Sequence, residues 1–178
     1  MSIVGLFGVS GVGKSYFSDN VMFGVSNFVC VKASDLIKFA NGEVIYNKLN
    51  KANVQRNQQI LSQEFATFKA NHPDKNILIE LHNVIETPES TEFLSGEVFE
   101  DIELTHAVFL QLASDKLYHQ RLDDVSKMRR KTSAAELESL QERSKNLCLK
   151  TFLARDIPLL VLKSDDTNNL RKFLEFVS

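Results

Sequence analysis

Residues 8–15 read Gly8, Val9, Ser10, Gly11, Val12, Gly13, Lys14 and Ser15, the pattern G-x-x-x-x-G-K-[ST]. Such a run does its work in one setting, between a buried strand and the first turn of a helix. That setting is present. Ile3-Val4-Gly5-Leu6-Phe7 before it is a short apolar run, and Tyr16, Phe17, Val21 and Met22 after it have helical spacing. Glycines let the loop curl so that successive backbone N–H groups face an anion. Lys14 would place a mobile positive charge near β- and γ-phosphates, and Ser15 would offer its hydroxyl to Mg²⁺. The helix that follows aims its positive dipole end at the same anion.

The rest of the chain extends the alternation. Further strand-like runs occur at 28–31, 77–79, 107–112 and 159–162, with helix-like stretches between them. Strands separated by helices predict a parallel sheet covered on both faces. No repeat, low-complexity tract or linker interrupts the pattern, so one domain over residues 1–178, an α/β three-layer sandwich with five parallel strands, is expected.

Local signals place the helices. Ser34 is expected to cap a short helix carrying Ile37 and Phe39, which the pair Asn41-Gly42 ends. Ile60, Leu61, Phe65 and Phe68 mark one apolar helix face, with Arg56 partly elsewhere on it. Ser133 and Glu136 form a capping box for a long helix with Leu137, Leu140, Leu147 and Phe152 as its stripe. Pro158 ends it, and Leu170, Phe173, Leu174 and Val177 belong to a closing helix. Residues 124–133 are polar and basic, with Lys127, Arg129, Arg130 and Lys131. They read as a lid, Arg130 and Lys131 being its solvent-facing members.

Charge and composition narrow the partners. A net charge of −2 gives no general attraction to nucleic acid. No apolar run reaches membrane-spanning length, and the first strand begins too early for a signal peptide, so a cytoplasmic location without membrane contact is expected. Cys30 and Cys148 sit in apolar surroundings outside any C-x-x-C or Cys/His cluster and read as inert thiols.

A glycine loop of this kind serves GTPases, mechanical ATPases and small kinases. No Asp is followed by Gly three residues later, so the D-x-x-G switch of a GTPase is missing. Asn47-Lys48-Leu49-Asn50 and Leu162-Lys163-Ser164-Asp165 both fail the guanine-reading pattern [NT]-K-x-D. The strand end Ile77-Leu78-Ile79-Glu80-Leu81 supplies one acid rather than the pair a mechanical ATPase uses. A small kinase needs a loop for donor phosphates, an acid for the metal, an acceptor pocket and cations that close over the transferring group while excluding water. Glu80 follows an apolar strand at the end where open α/β sheets bind ligands.

From the loop to the lid helix the chain resembles the archaeal-type adenylate kinases, a branch of the nucleoside monophosphate kinases. The resemblance is carried by the loop, by the strand end through Glu80, Leu81 and His82 with Thr87-Pro88 beyond it, by the Ser34 region, and by Arg121-x₅-Lys127-Met128-Arg129. It implies Mg-ATP as donor on residues 8–15 and a nucleoside monophosphate, AMP first, as acceptor. Ser34, Asp35, Lys38, Arg56, His82 and Thr87 would border the acceptor. Arg121, Lys127 and Arg129 would neutralise the phosphoryl group, and Ser15 and Glu80 would hold Mg²⁺, directly or through water. The chain departs from the family at Glu80, where Asp is usual, and at Asn47, near which the family places an arginine. The rivals are a kinase for another small acceptor and a nucleotide-dependent regulatory or assembly factor with weak ATPase activity.

Overall fold

The computed structural model describes residues 1–125 and 128–178. Strand β1 (Ile3–Phe7) is buried at every position. It lies between β3 (Asn76–Glu80) and β6 (His106–Gln111), and β2 (Phe28–Lys32) and β7 (Leu159–Lys163) flank these. All pairings are parallel, giving the order β2-β3-β1-β6-β7 in a five-stranded sheet. Helices cover both faces, which is why the central strands are continuously apolar rather than alternating.

Alternate side chains divide the core. Ile3, Phe7, Ile77, Ile79, Ala107 and Phe109 point to one layer, where α2 (Ala33–Phe39), α3 (Lys51–Ala70) and the C-terminal half of α5 (Ala134–Leu153) supply Ile37, Val54, Leu61, Phe65, Cys148 and Phe152. Val4, Leu6, Leu78, Val108 and Leu110 point to the other, against Phe17 of α1 (Lys14–Met22), Leu117 of α4 (Ser114–Asp123) and Leu170 and Leu174 of α6 (Thr167–Phe176). Gly5 is dictated by packing. A Cβ there would stand 2.6 Å from the Phe7 ring, which sits edge-on to Phe99 with centroids 5.2 Å apart.

All five expected strands form; β1 matches its apolar run, and the other four differ from theirs at one or both ends. β2, β3 and β7 each continue one residue further, through Lys32, Glu80 and Lys163, and β6 runs from His106 to Gln111, leaving Leu112 outside. The C-terminal ends of parallel strands emerge where ligands bind, and their last residues turn polar there.

One local expectation is corrected, and one element is new. Ser34 does not cap α2. The chain passes from β2 into the helix without an intervening residue, so the cap position falls on Lys32, which makes no capping side-chain bond. Between β3 and β6 an antiparallel hairpin appears, β4 (Val84–Glu86) with β5 (Thr91–Phe93). Two other signals act as read. Asn41 takes the left-handed φ of 58° that ends α2, and the Ser133–Glu136 capping box is complete at the start of α5. No helix among the described residues is long and apolar enough to cross a membrane.

Candidate functional site

The loop leaves β1 at Gly8 and enters α1 at Lys14. Gly11 and Gly13 hold φ of 86° and 94°, and Gly13 is the residue preceding the first turn. Side chains other than glycine rarely adopt these values, so the curl depends on both. Lys14 is only 6% exposed. Its Nζ donates to the Gly8 carbonyl at 2.6 Å, lies 3.4 Å from the Val9 carbonyl and stands 3.3 Å from His82 Nδ1. An ammonium can only donate, so His82 accepts at Nδ1 and carries its own proton on Nε2.

The sheet register brings the acid to the loop. Glu80 pairs with Leu6, two residues before Gly8, and is buried at 6% exposure. Ser15 Oγ donates to one carboxylate oxygen at 2.8 Å and Ser18 Oγ to the other at 2.7 Å. One carboxylate beside one hydroxyl fits Mg²⁺, which keeps waters and takes substrate phosphates rather than a full protein cage. Ser18, which steadies Glu80, lies one turn along α1 from Ser15, a spacing visible in the sequence.

Cysteine behaves as expected. Burial pushes the Cys30 thiol up to about 11 and raises Cys148 further, so neither is a thiolate near neutrality.

Of the residues the sequence analysis reads as a lid, Arg129 returns to the loop, with Nε 3.3 Å from Ser10 Oγ and Nη2 bonded to the Asp124 carboxylate. Its Nη1 is buried with no hydrogen-bond partner among the described residues. Arg130 and Lys131 face solvent. Lys127 lies outside the described residues. Arg121, on α4, is engaged otherwise. Its Nε donates to the Ser10 carbonyl at 2.9 Å, and Nη1 and Nη2 donate to the two Glu86 oxygens at 3.2 and 2.8 Å.

Beside the loop is a cavity of about 600 Å³ whose lining includes Ser10 and Arg129. Ile37, Leu61, Leu81, Val84 and Leu94 give it apolar walls, and Ser34, Lys38 and His82 are also in its lining. Asp35, Arg56 and Thr87 are not in its lining. Asp35 is exposed and pairs with Lys38 at 3.4 Å. Arg56 is exposed on α3, while its neighbours Asn57 and Gln58 line the cavity instead. A residue advances about 100° around a helix, so a contact assigned one position away points elsewhere. Thr87 is fully buried and closes the hairpin turn onto Ser90. Sequence reading missed Tyr46, Asn57, Gln58 and Glu86. A polar pair on the buried side of α3, beside Val54 and Leu61, was the available signal.

A parallel sheet in this order, with a glycine loop leaving its central strand into a helix and a buried acid on the neighbouring strand, defines a P-loop NTPase-like nucleotide-binding domain. Residues 7–140 match the model of the AAA domain family, and the chain belongs to that family. Its fold is similar to that of an unliganded sugar kinase from Janibacter sp. HTCC2649, with a TM-score of 0.57 and 15% identity over 97% of this chain and 91% of that one. It is also similar to a chain of the Pnkp1/Rnl/Hen1 RNA repair complex, with a TM-score of 0.55 and 15% identity over 84% of this chain and 45% of that one. At such identities the likeness is one of fold. No curated protein matches the sequence.

Proposed function

We propose that the protein is an ATP-dependent phosphotransferase that moves the γ-phosphoryl group of Mg-ATP onto a nucleoside monophosphate, with AMP the first candidate. The observation that carries this reading is continuity. Ser10 and Arg129 belong both to the loop's surroundings and to the wall of the 600 Å³ cavity, so donor phosphates and an acceptor would meet without crossing solvent. The apolar walls suit a nucleobase. Ser34, Lys38 and His82 stand on the acceptor side. The loop and Lys14 would hold the β- and γ-phosphates, and Arg129 would neutralise the group in transit, with Lys127 in support. When bound, Mg²⁺ supplies charge neutralisation across the phosphates, and Ser15 and Glu80 are its protein contacts.

A kinase for an uncharged hydroxyl acceptor is favoured by one observation. Arg56 stands away from the cavity, and the lysines and arginines of its described lining are Lys38 and Arg129. The test is ADP production with Mg-ATP against a panel of nucleoside monophosphates and nucleosides. At least one monophosphate should raise the rate well above the no-acceptor level. A response to nucleosides alone moves the reading to a hydroxyl acceptor, and no response to any of them rejects it.

Glu80→Gln tests the metal contact. The amide keeps an oxygen for one serine but loses the charge, and a lost partner in a metal site typically costs ~10–100-fold in metal affinity. The Mg²⁺ concentration giving half-maximal turnover should rise within that range. An unchanged requirement would remove Glu80 from the metal.

A further inference from the structure

We propose that Arg121 is a positioning residue, a strut that ties the phosphate loop to the acceptor-side hairpin through Glu86, and that it does not touch the transferring phosphoryl group. The proposal rests on the phosphotransferase reading for its consequences, but not for its geometry. All three guanidinium nitrogens are committed in the fold, Nε to the Ser10 carbonyl and both terminal nitrogens to the Glu86 carboxylate. The pairing is bidentate, the arrangement in which arginine holds a carboxylate with the most directional preference.

Burial makes the pair hard to open. The side chains of Arg121 and Glu86 are 6% and 8% exposed. For Arg121 to turn to a phosphate, Glu86 would be left charged, buried and without its guanidinium, a state that proteins avoid. The arginine stem is fixed as well. It lies against the loop so closely that a Cβ on Gly11 would stand 2.8 Å from Arg121 Cγ. Arg129 differs, since its buried Nη1 still lacks a partner among the described residues.

What the pair joins gives it a role. Ser10 is part of the donor loop and also lines the cavity. Glu86 ends β4, whose Val84 and Ile85 form part of the same wall. Thr87, next in the chain, accepts at its carbonyl from the Tyr46 hydroxyl at 3.3 Å. One guanidinium therefore sets the distance between the phosphate loop and the acceptor wall, and reactions of this kind depend on such positioning.

A double-mutant cycle tests this. Arg121→Met and Glu86→Leu each strand one buried charge, whereas the double variant removes both, a change that buried pairs often tolerate. The strut predicts that each single variant lowers Tm, weakens Mg-ATP binding or raises acceptor KM, and that the double variant recovers much of the Tm and of the turnover lost in Arg121→Met. Glu86→Gln, a milder change, should raise acceptor KM on the order of tenfold with kcat little altered, an effect of about 1.4 kcal/mol. A double variant that regains Tm but stays as inactive as Arg121→Met would overturn the proposal, as would a Glu86→Gln protein with unchanged acceptor KM. If wild-type protein transfers phosphate to no acceptor, the phosphotransferase reading fails separately, and the strut is then decided by Tm and Mg-ATP affinity. Coupled losses in the cycle support it, and additive losses reject it.

Discussion

Lys14→Ala is expected to lower kcat and kcat/KM together, by about 10²–10³-fold, the loss typical of removing one preorganised donor from developing charge. The ammonium now sits on the Gly8 carbonyl and beside His82, within the loop that receives the phosphates. Charge builds on the phosphoryl oxygens during transfer, so the lysine's contribution grows along the reaction path, and an interaction of that kind appears in kcat rather than in KM alone. The fold should survive, because Lys14 contributes to neither apolar cluster. Circular dichroism and Tm close to wild type would establish that. Activity within about threefold of wild type corresponds to well under 1 kcal/mol of barrier and would exclude Lys14 from the chemistry.

Arg129→Lys should be nearly as damaging. The guanidinium meets Ser10 Oγ through Nε and Asp124 through Nη2, and keeps Nη1 in reserve beside the cavity. A lysine ammonium is a single point and cannot hold Asp124, reach the loop and grip a phosphate in two parallel bonds at once. Arginines acting on a transferring phosphoryl group contribute on the order of 10³–10⁵ in rate, whereas a solvated arginine contributes almost nothing. Steady-state kinetics should therefore show kcat reduced by at least ~10²-fold, equivalent to about 2.7 kcal/mol, with ATP affinity only modestly weaker. Arg130→Ala is the internal control, since that side chain faces solvent. Near-normal turnover in both variants would make residues 124–133 a solvated loop. Loss at Arg130 alone would leave the lid in place with its register shifted by one residue.

The donor half was legible in the sequence because it is local. Gly8 to Ser15 are contiguous, their setting is fixed by an apolar run on one side and helical spacing on the other, and Glu80 ends a strand whose neighbours follow from the α/β alternation. Strand ends were less legible. An apolar run stops at the first polar residue, but hydrogen bonding continues through Lys32, the buried Glu80 and Lys163, so apolar patterning shortens the strands on the side where the site lies.

The acceptor half depends on contacts between distant segments, and sequence spacing carries little of that. Arg56 and Asn57 are adjacent in the chain yet face solvent and cavity respectively. The resemblance sets Thr87 beside the acceptor, while in the structure its hydroxyl bonds within the hairpin turn. The resemblance places Arg121 on the phosphoryl group. Its bidentate partner, Glu86, lies 35 residues away on a hairpin that strand-like runs did not announce. Ser34 failed as a cap for a simpler reason: β2 runs directly into α2.

If the loop and the cavity form one space, a phosphoryl group passes there from ATP to an acceptor and not to water. The fate of label from γ-labelled ATP tests it most directly, in the presence of Mg²⁺ and AMP or whichever monophosphate best stimulates turnover. Label should appear on the acceptor as a new diphosphate at the rate ADP forms, with little free phosphate. Label released only as inorganic phosphate, at a rate no acceptor changes, would contradict it.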